Sequence, residues 1–502
     1  MLARLTSGKR STFILLVVIT IMGTGLRAYR LGYQSLWHDE ILTYLSSNGT
    51  LSHVLFQTDI QTNVLPLYYL VTHAFLYWSD LETSLRIPAF LFGSLTLPVF
   101  YYTVRHTFGG QVGLWATFFL AISPFHIFYS QDARPYTMFL FLCVLTVFLL
   151  QRCIDHQDSL TRKIIFVMVA VLTFLCHAAA IPFLAFLVLY ILIARPLDEW
   201  QDWIPTFLSM GLLLLPALYW TYSIQVSGKI EQRFDPVSYL NILWLFSTGY
   251  SLGADLRSFQ FTENIRTIAL KLFYIVPVLL LTSGLAWSGV RKLWLSQKRQ
   301  CLVWVLFFFL PIIFMSLAAI VTYRPFYERY VIPSLLPFFV FLAMGTQSIR
   351  RRSVQLFCAG VLIVVSGLSI QNYYFDPRYH REDNRGAAQF LNEHVVKGDV
   401  VICMTPHMAE NLFPYLPAPR LMAIRPFRTK DKVLTSKKLP MELREIIAGR
   451  KRFWVFSRHT KNGRPKGPIA QHFDEHYISR LTFHSSGVTL ILYEVGRNSP
   501  KI

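Results

Sequence analysis

The chain alternates long apolar runs with short polar connections. A bilayer core about 30 Å thick needs roughly 20 apolar residues per helix. On that measure the pattern predicts spans near 11–31, 84–104, 111–129, 136–152, 163–178, 180–194, 203–222, 268–288, 301–321, 330–347 and 353–370. The runs are continuous rather than alternating, which speaks for α-helices and against a β-barrel. An odd number of spans puts the two ends on opposite sides of the membrane.

Two stretches break the pattern. "NVLPLYYLVTHAFLYW" (63–78) is apolar but short, and it reads as an interfacial or re-entrant helix. From Gln371 onward the period changes. "DNRGAAQFLNEHVVKGDVVICM" reads as an amphipathic helix, a Lys-Gly turn and a strand; "MELREIIAGRKRFWVFSRH" repeats that order and "VTLILYEVG" is a last strand. The expected organisation is a membrane domain over 1–370 and a small α/β domain over 371–502. The membrane domain carries a first polar loop at 31–83 with interfacial helices and a long loop at 223–267.

Composition agrees. Of 502 residues 53% are hydrophobic and only 15% charged, against about 25% charged in soluble domains. The basic N-terminus and its apolar run read as an uncleaved first span, because no small-residue cleavage site follows. The six cysteines form no CxxC, so neither a disulfide framework nor a zinc site is expected. Net charge +20 raises the question of nucleic acid. In a membrane chain the simpler source is cytoplasmic loops and anionic lipid, so no nucleic-acid partner is expected.

The distribution of that charge orients the chain. Lys and Arg gather in one alternate set of short connections, most densely in "RKLWLSQKRQ" and "SIRRRS"; the other set holds only Arg27, Arg30, Arg134, Arg324 and Arg329. The positive-inside rule then places the N-terminus in the cytoplasm, and the 31–83 loop and the C-terminal domain outside a plasma or inner membrane.

Ionisable side chains near a membrane are costly and mark function by default. Those on the outer side come from separate loops. "SLWHDEILTY" carries His38, Asp39 and Glu40, and reads either as a capped solvated loop or as a carboxylate poised as general base or metal ligand. "SPFHIFYSQDARPYTMFLF" (123–141) sets Asp132, Arg134 and Tyr136 in an aromatic frame; the Asp-x-Arg is either a turn-fixing ion pair or part of a cavity. "TYRPFYERYVIPSLLPFF" (322–339) puts Arg324, Arg329 and Tyr330 at a span entrance, snorkelling to headgroups or holding a phosphate. Arg86 either binds phosphate too or pairs with Glu82, and His177 stands alone at a helix end. No Walker loop, GxGxxG, HExxH or soluble DxD is present, which argues against a cytosolic nucleotide-dependent enzyme.

The order of these segments resembles bacterial members of the protein-mannosyltransferase and aminoarabinose-transferase group, glycosyltransferases with the GT-C fold. The resemblance covers roughly 10–405: a "DE" pair after span one, "LPLYYLVTHAFLYW…SLRIPAFLFGSLTLPVFYY", the 123–141 segment, a His-bearing turn, "ERYVIPSLLPFFVFLA" and "DNRGAAQFLNEHVVKGDVV". It implies a polyprenyl-phosphate-linked sugar as donor and transfer with inversion on the extracytoplasmic face. The acceptor is then a lipid, glycan or protein. The acidic pair falls on Asp39, as general base, and on Glu40, as its helper or as ligand of a divalent cation, the one cofactor left open. Arg86 matches the family's "RxP" arginine and Arg329 its "RY", near the donor phosphate together with Arg324. His38, Asp132, Arg134, Tyr136, His177 and Tyr330 are the candidates for the substrate cavity. The His-bearing turn departs from the family as "HAAA", and the tail does not resemble a MIR domain. Two other classes stand beside this reading: a transporter or flippase for a lipid-linked saccharide, and an assembly or sensor protein acting through its tail.

Overall fold

The structure is a computed structural model and describes residues 9–56, 65–156, 159–225, 237–252, 265–322, 326–404, 406–416, 422–426, 441–458 and 468–496. Its contacts divide the chain into two compact units. One comprises Met1–Leu31, Ser46–Ser79 and Ser84–Phe375; the other comprises Gly32–Leu45, Asp80–Thr83 and Asp376–Ile502.

The first unit is helical. Among the described residues seven helices are long and apolar enough to cross a membrane, from Arg10–Ala28 to Arg352–Phe375. The chain is a multi-pass membrane protein. The apolar stretch expected as one span at 111–129 is instead a broken pair, Gly110–Ala121 and Pro124–Ser130, bent by 62°. Pro124 explains the break: the residue before a proline is driven out of the helical region, and Ser123 sits at ψ 116° with its hydroxyl capping His126 N. The helix Pro66–Phe75 has ten residues, about 15 Å of rise, which is half an apolar layer.

At the centre lies Glu328–Ser348, 89% buried, against 17% for Arg10–Ala28. The first span therefore presents Phe13, Ile14, Val18 and Ile21 outward, an apolar surface suited to lipid. The central helix packs against Ile265–Ser296 through two glycines. A Cβ on Gly289 would lie 2.0 Å from Phe341 O, and one on Gly345 would lie 1.8 Å from Leu285 O. Only glycine lets the two backbones approach so closely.

The second unit is built on a five-stranded sheet in the order β2-β1-β3-β5-β4. The strands are β1 (Asp399–Cys403), β2 (Met422–Pro426), β3 (Arg452–Arg458), β4 (Ile478–Ser485) and β5 (Val488–Glu494). β1 runs parallel to β2 and β3, while β5 is antiparallel to β3 and β4. The helices Asn384–His394 and Pro406–Leu412 cover the face of Val401, Cys403, Trp454 and Phe456. Met441–Ile447 and Pro468–His476 cover the face of Val400, Ile402, Phe453 and Val455. Burial on both faces accounts for the uninterrupted apolar reading of β1.

Candidate functional site

In the first unit, four of the sequence-predicted residues meet. The guanidinium of Arg329 lies 4.5 Å from the ring centre of Tyr327, 5.7 Å from Tyr330 and 5.9 Å from Tyr136. The His177 ring is 5.8 Å from Tyr136 and 5.6 Å from Tyr330, and stacks on Phe139. Tyr129 continues the wall at 5.0 Å from Tyr136, with its hydroxyl 2.7 Å from that of Tyr250. Arg134 and Arg329 both act electrostatically on His177.

Local structure explains the convergence. Glu328–Ser334 is a 3-10 turn leading into the central helix, and in a 3-10 turn residues three apart share a face. Tyr327, at its N-cap, and Tyr330, within it, therefore stand together, with ring centres 5.7 Å apart. Glu328 is turned inward and accepts from Asn241 Nδ2 at 2.7 Å. His177 ends the Leu160–Cys176 helix in an extended conformation, and its Nδ1 accepts from Ala179 N at 3.0 Å. The small residues of "HAAA" let the ring cap the next turn; its buried Nε2 has no hydrogen-bond partner in the structure.

Asp132 and Arg134 are buried in the tight turn before Tyr136, where Arg134 N donates to Asp132 O at 2.6 Å. Arg86 is buried and donates from Nη1 to Leu31 O at 2.9 Å. Arg324 lies outside the described residues, as do residues 226–236 and 253–264 of the long loop. Chemically, the cluster offers a guanidinium fork among aromatic faces, matched to two oxygens of a phosphate or a carboxylate.

The acidic pair belongs to the second unit. Asp39 and Glu40 occupy the first turn of the His38–Ser47 helix, where carboxylates suit the exposed N–H groups. Asp39 is half-buried and Glu40 fully buried. Glu40, expected as helper of Asp39 or as a cation ligand, is held by an arginine. Its Oε2 is 2.5 Å from Arg381 Nη1 and accepts from Trp37 N at 3.4 Å, half of a capping box. Among the described residues no group of three or more His, Cys, Asp or Glu is arranged to hold a metal ion. His38 Nδ1 donates to Asn411 Oδ1 at 2.9 Å. Glu82, the alternative partner for Arg86, instead accepts from Arg385 Nη1 at 3.1 Å and from Tyr415 OH at 3.0 Å.

Several residues here escaped sequence reasoning. Arg27 is fully buried and donates to the carbonyls of Gly23, Leu120 and Ala121. A cation at the end of an apolar run was signal enough for a role beyond topology. Tyr129, Tyr250, Asn241, Arg381 and Tyr415 had no comparable signal.

Known proteins bear out the architecture. ArnT from Cupriavidus metallidurans, crystallised without ligand, superposes with a TM-score of 0.59 over 96% of this chain and 97% of its own, at 10% identity. The chain has the GT-C fold. The same ArnT bound to undecaprenyl phosphate gives a TM-score of 0.58 at 12% identity, over 98% of this chain and 100% of its own. The Archaeoglobus fulgidus oligosaccharyltransferase in complex with zinc and sulfate shares the GT-C core: TM-score 0.51 at 12% identity, over 79% of this chain and 61% of that one. The sequence family described as dolichyl-phosphate-mannose-protein mannosyltransferase matches residues 65–220. That stretch holds Arg86, Asp132, Arg134, Tyr136 and His177, and excludes Asp39, Glu40 and Arg329. No curated protein matches the sequence.

Proposed function

We propose that this protein is an integral-membrane glycosyltransferase that moves a sugar from a polyprenyl-phosphate carrier to a lipid, glycan or protein acceptor on the extracytoplasmic face. The observation that carries the proposal is the aromatic-walled Arg329, set beside His177 and Tyr136 in a chain whose fold matches that of an ArnT crystallised with undecaprenyl phosphate. Arg329, with Arg324 and Arg86, holds the donor phosphate. Arg134, Tyr136, His177 and Tyr330 line the substrate cavity, with His38 and Asp132 as further members.

The step is a direct displacement with inversion. The acceptor oxygen attacks the anomeric carbon, and the carbon–oxygen bond to phosphate breaks with its electron pair going to the phosphate oxygen. The Asp39 carboxylate takes the acceptor's proton. Charge builds on the leaving phosphate, so preorganised guanidinium donors lower the barrier more than any other group.

The test uses purified protein in liposomes and the polyprenyl-phosphate sugars extracted from the producing cells, with mass spectrometry of the products. Asp39→Asn is expected to fold, to bind undecaprenyl phosphate and to lose transfer. Full turnover by that variant removes Asp39 as the base. Labelled carrier that crosses the bilayer with no glycosylated product indicates the transporter reading instead.

A further inference from the structure

The C-terminal sheet and the segment Gly32–Leu45 form one compact unit although they lie at opposite ends of the sequence. The contacts are specific. Arg385 donates from its backbone N to Ser35 Oγ at 3.0 Å and from Nη2 to Tyr33 O at 2.7 Å. Asn384 Nδ2 donates to Leu36 O at 2.9 Å, and Leu36 N donates to Tyr415 OH at 2.9 Å. Arg381 N donates to Gln34 Oε1 at 3.0 Å, while its guanidinium pairs with the buried Glu40. Asn411, fully buried, takes His38. Asp80–Thr83 completes the unit: a Cβ on Gly32 would lie 2.2 Å from Thr83 Oγ1. Burial, with the Glu82 carboxylate beside it, pushes the Tyr415 phenol well above its ordinary range, so it remains a donor to that carboxylate.

Three backbone groups of the loop, Tyr33 O, Leu36 N and Leu36 O, thus bond to side chains of the C-terminal domain, and the Gln34 and Ser35 side chains accept from its backbone. Helix geometry does the rest. Adjacent helical residues point about 100° apart, so anchoring Glu40 leaves Asp39 on a neighbouring face with its direction set. A base must be held within a fraction of an ångström and some 10–20° of its working geometry.

We propose that the C-terminal domain is a clamp that positions the Asp39 helix, with Arg381, Asn411 and Tyr415 as positioning residues that act through that helix. This rests on the reading of Asp39 as base.

Two measurements on the full-length protein decide it. The first is amide hydrogen exchange, which needs no substrate. Arg381→Ala and Tyr415→Phe are expected to raise exchange across residues 33–45 at least about tenfold, while β1 and β3 keep their protection. The charge swap Glu40→Arg with Arg381→Glu is expected to restore part of the protection lost in Arg381→Ala, the part the ion pair supplies, since arginine cannot accept from Trp37 N. The second is turnover with the polyprenyl-phosphate sugars extracted from the producing cells. A 1 Å misplacement costs about 100-fold, so kcat is expected to fall by 10- to 100-fold with donor KM unchanged, and to recover in part in the swap. Unchanged exchange in the loop, or loss of protection throughout the sheet with no recovery in the swap, overturns the clamp. Asp39→Asn is run in parallel. If it turns over normally, the catalytic reading falls while the exchange data still decide the clamp; if it is inactive and the clamp variants match the parent, the clamp falls and the reading stands.

Discussion

Arg27 Nη2 lies 2.6 Å from His126 Nδ1, deep in the helical unit. The guanidinium is always a donor, so Nδ1 is the acceptor and the ring proton sits on Nε2. The other donors of Arg27 close the carbonyl end of the Gly110–Ala121 helix at Leu120 and Ala121. Gln131 in turn donates to the carbonyls of Arg27 and Tyr29 at 2.8 and 2.7 Å. One arginine therefore ties the first span to the helix break that leads into the Asp132–Arg134 turn.

Arg27→Ala strands those carbonyls without a donor where water does not reach. The expected cost is about 3 kcal/mol, visible as a lowered midpoint of thermal unfolding in detergent. Arg27→Lys is expected to recover less than half, because an ammonium cannot reach all four partners at once. An unchanged midpoint in the alanine variant contradicts this role.

Arg329 owes its proposed role to the fork shape of its guanidinium. Arg329→Lys keeps the charge and loses the planar pair of donors, so the donor KM is expected to rise about tenfold, equivalent to about 1.4 kcal/mol. Arg329→Ala is expected to cost a further factor of about ten. Competition by undecaprenyl phosphate, measured on the purified variants, separates a binding loss from a catalytic one.

The glycine contact predicts intolerance of the smallest side chain. The added Cβ of Gly289→Ala meets the backbone oxygen of Phe341, which has no rotamer to move away. Separating the two helices is expected to cost about 3 kcal/mol or more, seen as aggregation or a markedly lowered unfolding temperature. Gly211→Ala, whose Cβ meets nothing within 4 Å, serves as the control and is expected to be neutral.

The sheet carries a pH-sensitive pair. Burial alone raises the Asp399 carboxyl, but bonds from Arg452 Nε at 2.8 Å and Nη2 at 2.6 Å, from Val396 N and from Trp454 Nε1 outweigh it and hold the carboxyl below its ordinary value. A carboxyl depressed on folding stabilises the native state fully above its unfolded pKa of about 3.9, and that stability is lost as pH falls through the lower folded value. Protection of β1 and β3 against hydrogen exchange is therefore expected to hold from pH 7 to about pH 4 and to decline below it. In Asp399→Asn the carboxyl's contribution to that acid dependence disappears.

Much of the helical unit was legible in the chain, because membrane burial imposes a length and an apolar character on each span separately. The break at Pro124 lay within a recognised segment; the proline was visible, but whether it kinks a span or ends it depends on what receives the freed carbonyls, and that is Arg27. The aromatic cluster was legible in part. Tyr136, His177, Arg329 and Tyr330 were each flagged as polar or aromatic residues at span ends, while Tyr129 looked like any other aromatic of an apolar run and Tyr250 lay in the long loop at 223–267.

The acidic decapeptide marks the limit. Asp39 and Glu40 are identical in charge and adjacent in sequence, and only the fold distinguishes them. His38 and Asn411 are 373 residues apart, and Glu40 finds Arg381 over a comparable distance. The hydrophobic period, the break residues and the outer-face charges are local, so the sequence alone carried the helices, the tail's α/β character and the list of candidate groups. That Glu40 is fully buried against Arg381 while Asp39 is half-buried depends on segments far apart in the chain, and no local pattern encodes it.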